Sequence, residues 1–401
     1  MNHSPRKIVL AYSGGLDTSV ILTWLREEYD AEVVACYVDV GQRENAAAVR
    51  AKALETGASE FFAPEVSEEY VTDYLWPALQ AHATYEHKYL LGTALARPLI
   101  AQKVVETARK VKADAVCHGA TGKGNDQVRF ELTFAALAPD LQIIAPWRTW
   151  DFKGREDLLD YAASHGIPVP VSKKRPYSSD ANLWHISHEG GILEELDKPV
   201  PEDVYEWTTS PEKAPGKPQD VKIGFVKGVP VSLNGKKISP VGMVTALNAI
   251  GGKHGIGRVD LVENRLVGLK SRGIYECPGA TILYSAHREL ETLALDRETL
   301  HYKEGLGPKF GEMTYNGQWF TPLRKTLQSF IEKTQANVTG DVTLRLYKGN
   351  LAVRSRACKK SLYSQDWVTF EADGLYNQAD ATGFIRLFGL PIKMGALLDR
   401  S

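Results

Sequence analysis

The sequence has few cysteines, no long hydrophobic run and no excess of charge, and each shortage excludes a class of protein. Four cysteines occur in 401 residues, none in a Cys-x-x-Cys pair, so neither a disulfide framework nor a zinc-ligand set is predicted. No apolar stretch approaches membrane length, and the polar residues 1–6 are unlike a secretory signal. Lysine plus arginine (48) balance aspartate plus glutamate (49). We therefore expect a protein of the reducing cytoplasm that binds neither nucleic acid nor a membrane.

The first glycine-rich loop lacks a lysine, and this decides which phosphate chemistry it predicts. The loop reads AYSGGLDTS and follows the apolar run at residues 7–10. A Walker A loop needs Gly-Lys-Ser/Thr to hold the β- and γ-phosphates, so transfer of the γ-phosphate is not indicated. Adjacent glycines and the hydroxyls of Ser13, Thr18 and Ser19 at a helix N-terminus favour a pyrophosphate cradle instead. The loop thus predicts cleavage of ATP to AMP and pyrophosphate; the alternative is a plain Gly-Gly turn before a helix.

The N-terminal part alternates short β-rich runs with helical stretches. Strands are predicted at residues 7–12, 32–38, 61–66, 115–118 and 142–146, and helices at 18–29, 44–56, 67–81, 97–111, 126–137 and 155–165. This alternation predicts a parallel sheet covered on both faces, with ligands at the carboxyl ends of its strands. The loops at 13–19, 39–42 and 118–126 each follow a predicted strand, so we expect them to meet at one edge.

After about Pro168 the pattern becomes that of an α+β domain. Residues 167–176, rich in proline and basic side chains, are predicted to be a linker. Antiparallel strands are predicted at 221–226, 229–233, 342–347 and 350–356, with hairpin turns at 234–235 and Gly349, and helices at 240–250, 279–293 and 321–337. Residues 370–401 carry apolar stretches after the last domain element, as expected of an arm that packs on a partner subunit. The predicted divisions are 1–170, 171–369 and 370–401.

The loop at residues 118–126 is the second chemical centre that the sequence predicts. Its three glycines permit close approach to a ligand, and Thr121, Asn125 and Asp126 offer donors and acceptors for zwitterionic groups. Arg129 lies four residues after Asn125, on the same helical face, and is suited to hold a substrate carboxylate with two hydrogen bonds. A glycine-rich helix start with a salt-bridging arginine is the structural alternative.

The chain resembles the argininosuccinate synthase family in six blocks that run through nearly its whole length. The blocks are AYSGGLDTS, YLLGTALARP, HGATGKGNDQVRFEL, PYSSDANLWHISHEGG, GRVDLVENRLVGLKSRGIYE and KSLYSQD. The resemblance implies an α/β nucleotide-binding domain of the ATP-pyrophosphatase type, then an α+β synthetase domain and a C-terminal oligomerisation arm of a homotetramer. It also implies a ligase of arginine biosynthesis that uses ATP and Mg²⁺ to condense citrulline with aspartate through a citrulline adenylate, releasing AMP and pyrophosphate.

The resemblance also implies roles for individual residues. ATP-contact positions match Ala11, Tyr12, Ser13, Gly14, Gly15, Leu16, Asp17, Thr18, Ser19, Val38 and Gly119. Citrulline positions match Tyr89, Ala94, Asn125, Arg129, Ser178, Ser187, Glu263 and Tyr275, and aspartate positions match Thr121, Asn125 and Asp126. The family often has serine where this chain has Ala94, so one expected hydroxyl is missing, and Thr93 is the candidate to replace it. For catalysis we single out Ser13, Asp17, Asp126 and Arg129.

Three other interpretations of the sequence are possible. A tRNA-modifying adenylating enzyme would show a basic face and, for thiolation, a reactive cysteine pair, and this sequence indicates neither. A non-catalytic nucleotide sensor would need only the first domain, whereas about half of this chain is predicted to form a second domain with its own polar motif blocks. His185, His188 and Glu189 suggest a metal site but have no suitably spaced further ligand, so no protein-held metal is predicted.

Overall fold

The structure, a computed structural model, describes residues 4–42, 44–168, 177–368 and 377–400. Residues 169–176, which form most of the predicted linker, and residues 369–376, at the start of the predicted arm, lie outside the described residues. Residues up to Lys360 form one compact unit, and Ser361–Ser401 form a second.

The N-terminal part is a five-stranded parallel sheet with helices between its strands. The strands are β1 (Lys7–Ala11), β2 (Glu32–Cys36), β3 (Glu60–Phe62), β4 (Ala115–Cys117) and β5 (Gln142–Ile144), in the order β3-β2-β1-β4-β5. The helices are α1 (Leu16–Tyr29), α2 (Ala46–Glu55), α3 (Ser67–Glu69), a π-helical turn (Tyr70–Leu75), α4 (Trp76–Ala81), α5 (Gly92–Val111), α6 (Asp126–Leu137) and α7 (Arg155–Ser164). The predicted α/β class with a parallel sheet is confirmed.

The central strand, β1, shows why the sequence predicts this parallel sheet. Ile8, Val9 and Leu10 of β1 have no exposed surface, because helices cover both faces of the sheet. A strand buried on both faces is a continuous apolar run rather than an alternating one. β1 pairs in parallel with β2 on one side and β4 on the other. The chain order reverses there, and such a point in an open parallel sheet creates a crevice at the carboxyl ends of the strands.

The second part of this unit contains two antiparallel sheets and four long helices. The strands are β6 (Ser178–Ala181), β7 (Ile186–Glu189), β8 (Gln219–Val226), β9 (Val229–Leu233), β10 (Lys236–Lys237), β11 (Arg258–Asn264), β12 (Lys270–Glu276), β13 (Gly340–Tyr347) and β14 (Asn350–Cys358). They form sheets in the orders β10-β9-β8-β13-β14 and β11-β12-β7-β6. The helices are α8 (Pro240–Lys253), α9 (Pro278–Ala294), α10 (Arg297–Tyr315) and α11 (Pro322–Thr334), with short 3₁₀ turns at Gly191–Glu194, Glu202–Val204 and Gln335–Asn337. A further 3₁₀ turn, Pro146–Arg148, follows β5 in the N-terminal part.

The predicted hairpins are right in one place and wrong in another. β13 and β14 pair from Tyr347 and Asn350 outward, as expected for a turn at Gly349. The Asn234-Gly235 turn, however, joins β9 to the short β10, while β8 and β9 are joined through Lys227-Gly228. Lys227 adopts a positive φ of 50° although nothing in its residue type indicates a turn.

Helix α10 was not predicted, because three glycines and a proline interrupt its pattern. The structure explains two of the glycines. A Cβ on Gly307 would lie 2.7 Å from the carbonyl oxygen of Ala81, and a Cβ on Gly311 would collide with the backbone of Thr84. Bare backbone is needed where the 81–84 segment crosses the helix, so these glycines serve close packing and do not break the helix.

The second unit, described by itself, has the short helices α12 (Gln365–Val368), α13 (Asp380–Phe388) and α14 (Leu390–Leu398). Large apolar side chains are exposed on α13 and α14, among them Phe384, Ile385, Leu387 and Phe388. In the described part of the chain no single helix meets the length and hydropathy of a membrane span; α13 and α14, bent by 43°, meet them only as a pair.

Candidate active site

The first glycine-rich loop is built from a strand end, a left-handed glycine and a helix start. β1 ends at Ala11 and α1 begins at Leu16. Between them Gly14 has a φ of +79°, which favours glycine, and a Cβ there would lie 3.2 Å from both methyl groups of Val49. Ser13 Oγ lies 3.0 Å from Thr18 Oγ1 and accepts a hydrogen bond from the Gly15 N–H at 3.3 Å. Hydroxyls and backbone N–H groups therefore converge at a helix N-terminus, where an anion is favoured.

A lysine does reach this loop, but from another element. Lys52 on α2 donates a hydrogen bond from Nζ to the Gly14 carbonyl oxygen at 2.7 Å. Burial lowers the pKa of Lys52, with Glu44 opposing that shift. The cation fixes the backbone of the loop, a role different from that of a Walker lysine.

A cavity of about 560 Å³ opens beside the loop. Of the predicted ATP positions, it is lined by Ala11, Tyr12, Ser13, Asp17, Thr18, Val38 and Gly119. Its lining does not include the other predicted ATP positions, Gly14, Gly15, Leu16 and Ser19. Ser19 instead donates a hydrogen bond to the Gly15 carbonyl oxygen at 2.8 Å and so stabilises the loop. Residues from all three predicted loops line the cavity, so the expected common edge is confirmed. We call it the nucleotide cavity.

Two carboxyl groups of the nucleotide cavity are held in an unfavourable electrostatic environment. Burial raises the pKa of Asp17, although Arg155 opposes the shift. Burial also raises the pKa of Glu44, and the neighbouring charges of Asp39 and Asp180 raise it further. A cation in this cavity would relieve both effects.

A second cavity, of about 300 Å³, adjoins the first. It is lined by eight of the predicted amino-acid positions: Tyr89, Thr121, Asn125, Asp126, Arg129, Ser187, Glu263 and Tyr275. Two predicted positions are not among its lining residues. Ala94 has no exposed surface and packs in the core on α5, whereas Ser178 is exposed at the start of β6. Thr93 lines the cavity instead, and we call this the amino-acid cavity.

The two cavities share a wall formed by Arg97, Gly119, Ala120, Asp126 and Asp180. Arg97 bridges its two carboxylates, with Nε donating to Asp126 at 2.8 Å and Nη2 donating to Asp180 at 2.6 Å. Arg129 Nη1 donates to the other Asp126 oxygen at 2.8 Å. Burial alone would raise the pKa of Asp126, but Arg97 and Arg129 outweigh it and lower that pKa below its ordinary value.

Arg129 is more constrained than the sequence suggests. Besides Asp126, its Nε donates to the backbone oxygen of Tyr315 at 2.9 Å, and its guanidinium lies 4.8 Å from the centre of the Tyr315 ring. Asn125 donates to the Tyr315 hydroxyl at 2.8 Å and accepts from the Leu266 N–H at 2.9 Å. Arg129 therefore cannot turn freely toward a substrate carboxylate, and a clamp would have to use the N–H groups that remain.

Glu263 is the least satisfied acidic group of the amino-acid cavity. Its side chain is 6% exposed, and its Oε2 is buried with no hydrogen-bond partner in the described part of the chain. Burial raises the pKa of Glu263, although Arg129 opposes the shift. A buried carboxylate oxygen without a partner is costly, so this group is suited to receive a ligand that brings a cation.

The histidines considered as metal ligands have other partners. His185 Nε2 lies 3.0 Å from Thr93 Oγ1, and burial lowers the pKa of His185 to about 3. His188 lies between Ser179 at 2.8 Å and Glu276 at 3.0 Å. A separate group in the described residues, His82, His287 and Glu291, has its ligand atoms within 4.8 Å of one another, but Lys303 Nζ already pairs with Glu291 at 3.0 Å.

Sequence reasoning missed three residues of the site: Arg97, Asp180 and Tyr315. Arg97 lies in the block YLLGTALARP and Asp180 in PYSSDANLWHISHEGG, where a single charged side chain gives no local signal of its distant partner. Thr93 and Arg97 are four residues apart on α5, so they share a face. Tyr315 ends the unpredicted helix α10 and had no local signal.

Together, the parallel sheet, the glycine-rich loop without a Walker lysine and the adjoining polar cavity are typical of an ATP-pyrophosphatase-type enzyme. The model described as the arginosuccinate synthase N-terminal HUP domain matches residues 7–168, and the model of the arginosuccinate synthase C-terminal domain matches residues 177–395. The chain belongs to the argininosuccinate synthase family and is a ligase that forms a C–N bond.

Relatives named argininosuccinate synthase match this chain over nearly its full length. The protein from Carboxydothermus hydrogenoformans is 59% identical over 98% of this chain and 98% of its own length. That from Endomicrobium trichonymphae is 56% identical over 99% and 96%, and that from Desulfitobacterium hafniense is 57% identical over 98% and 98%. These matches support the prediction of an argininosuccinate synthase and do not support the alternative of a tRNA-modifying enzyme.

Proposed function

We propose that the nucleotide cavity holds ATP and the amino-acid cavity holds citrulline and aspartate, so that the reacting atoms meet at the shared wall. The observation that carries this assignment is the wall itself, because one set of residues faces both cavities. An atom bound in one cavity can there approach an atom bound in the other, as a two-substrate transfer requires.

The two cavities suit a two-step reaction. The ureido oxygen of citrulline is a poor leaving group, and its attack on the α-phosphorus of ATP would convert the urea to an activated isourea. Pyrophosphate would leave against the N–H and hydroxyl groups of the loop at Ser13 and Thr18, which stabilise its charge by position and not by a covalent bond. The amine of aspartate would then displace AMP.

The polar residues of the amino-acid cavity divide between the two amino acids in this proposal. Glu263, with its unpartnered oxygen, would bind the α-ammonium of citrulline between Tyr89 and Tyr275. Thr121 and Asn125 would hold aspartate beside Asp126. We assign electrostatic roles to Arg129 and Asp126 because they are paired with each other, and not a role as proton carriers.

Mg²⁺ fits the oxygen donors of the nucleotide cavity. Asp17, Gln42 and Glu44 line it, and the raised pKa values of both carboxyl groups fit the arrival of a cation. When bound with ATP, the ion would neutralise charge on the phosphates.

We further propose a cytoplasmic homotetramer divided as 1–170, 171–369 and 370–401. The family and the low cysteine content support the compartment. The exposed apolar side chains of α13 and α14 support an arm that packs on another copy of the chain. Replacing Phe384 and Phe388 by serine should then lower the mass measured by light scattering.

Isotope transfer tests the central assignment. Citrulline labelled with ¹⁸O in the ureido group should deliver the label to AMP, because that oxygen bonds to the α-phosphorus and leaves with it. Label retained in the amino-acid product, or ADP as the nucleotide product, would contradict the proposal.

A further inference from the structure

The second step of the reaction needs a proton acceptor, and its position is restricted. When the amine nitrogen of aspartate bonds to the isourea carbon, it gains positive charge and must lose a proton. The isourea carbon is bonded to the oxygen that joins the α-phosphorus, so it has to lie where the two cavities meet. The acceptor should therefore belong to the shared wall.

Two side chains of that wall can accept a proton. Arg97 is a cation without acceptor capacity, and Gly119 and Ala120 offer no basic side chain, which leaves Asp126 and Asp180. Both oxygens of Asp126 accept hydrogen bonds from arginines at 2.8 Å. Its lowered pKa also makes Asp126 a weak base.

Asp180 differs from Asp126 in having one oxygen engaged and one open. Its Oδ2 accepts from Arg97 at 2.6 Å and from Thr93 Oγ1 at 3.3 Å, whereas its Oδ1 has no hydrogen bond to any described residue. The side chain is 40% exposed, so a ligand can reach it. The pairing of Asp180 with Ser187 across β6 and β7 fixes the backbone beneath it.

Other acceptors of the amino-acid cavity are away from the wall or already paired. Glu263 lines the amino-acid cavity but not the nucleotide cavity. Glu189 pairs with Arg265 at 2.5 Å, and His188 pairs with Glu276 at 3.0 Å. Among the described lining residues, Asp180 best combines position with an open oxygen.

We propose that Asp180 is the general base of the second step, an inference that rests on the proposed function. The ammonium of aspartate first loses one proton to water. As the N–C bond forms, Asp180 Oδ1 accepts a second proton from that nitrogen; the C–O bond then breaks, and its electron pair leaves with AMP. Arg97 and Thr93, held on Oδ2, position the carboxylate.

The test is Asp180→Asn, which keeps the size and an acceptor oxygen but removes the basicity. In acid-quenched single turnovers, citrulline-dependent pyrophosphate release should stay within about threefold of wild type. Formation of argininosuccinate should slow by roughly 10²–10⁴-fold, the usual contribution of a general base, and adenylated citrulline should accumulate. Asp180→Glu should recover part of the second step. Asp140→Asn, at an exposed aspartate paired with Arg109, is the matched control and should change neither step.

The outcomes separate the two proposals. Equal slowing of both steps would show that Asp180 only orients Arg97, and unchanged rates would remove it from the chemistry; either result overturns the inference. Failure of Asp180→Glu to exceed Asp180→Asn would also count against it. If the wild type releases no citrulline-dependent pyrophosphate, the proposed function itself fails, whatever Asp180 does.

Discussion

The phosphate loop and the shared wall recognise charge in opposite ways. The loop uses backbone N–H groups and neutral hydroxyls from one continuous segment that runs from the end of β1 into the first turn of α1. The wall uses full charges from three elements, with Arg97 on α5, Asp126 at the start of α6 and Asp180 on β6. A local segment can shape an anion site largely by its backbone conformation, whereas the charges of Arg97 and Asp180 meet across 83 residues of sequence.

This difference predicts where the molecule is fragile. Partial charges of the backbone remain when one side chain changes. Removing the part-buried guanidinium of Arg97, by contrast, leaves Asp180 without its cation and Asp126 with Arg129 alone. The wall should therefore lose both folding stability and activity on substitution, and the loop should lose mainly ATP binding.

Arg97→Met should have the largest effect. It leaves Asp126 with Arg129 alone and Asp180 without a cation. Because both pairs are part-buried, losing these charged hydrogen bonds should lower the free energy of unfolding by about 1.5–3 kcal/mol. Urea titration measures the loss. The matched control is Arg109→Met, whose exposed pair with Asp140 should leave the midpoint unchanged. Similar urea midpoints for the two variants would show that the wall is no more sensitive to substitution than an exposed ion pair.

Asp126→Asn should have a smaller effect that depends on pH. The pKa of Asp126 is lowered in the folded protein, so its charged form stabilises the fold above the unfolded value of about 3.9, and this contribution is lost as pH falls through the lowered pKa. The variant should be about 2 kcal/mol less stable than wild type at pH 7. The gap should persist at pH 5 and narrow below pH 4. A gap that widens on acidification would contradict the assigned direction.

Gly14→Ala should lower the free energy of unfolding by about 1–2 kcal/mol, because an L-residue is strained at a φ of +79°. The KM for ATP should rise while the KM for citrulline stays close to wild type. Gly14→Asn tolerates the left-handed conformation better but still fills the space beside Val49. A rise in the KM for ATP in both variants, with stability lost mainly in the alanine variant, would separate blocked phosphate access from strain.

The smallest effects concern the missing serine hydroxyl. Thr93→Val should weaken citrulline binding by about 0.5–1.5 kcal/mol, because its hydroxyl lines the cavity and contacts His185 and Asp180. Ala94→Ser should bring no gain, since Ala94 is fully buried in the core. Citrulline titrations of both variants test these expectations. Tighter binding with Ala94→Ser would show that position 94 does reach the ligand.

Local signals made the sheet and the loops predictable. The strands of the first domain are short, mostly apolar runs that alternate with helical segments, so their predicted ends fall within a few residues of the observed ones. The start of α6 at Asp126 was also predicted. The ion pair of the wall was not, because Arg97 and Asp180 are 83 residues apart and a charged side chain such as Arg97 on a predicted helix is usually solvated. Tyr315 was missed because it meets Arg129 across 186 residues.

Two glycines of helix α10 should tolerate no substitution. Gly307 and Gly311 line neither cavity, yet the segment at Ala81 and Thr84 leaves no clearance for a methyl group on either of them. The end of the same helix presents Tyr315, stacked on Tyr85 with ring centres 3.6 Å apart, to the amino-acid cavity. A saturation screen scored on activity should therefore mark these two glycines as intolerant although they line neither cavity, because a displaced helix would move Tyr315 within the amino-acid cavity.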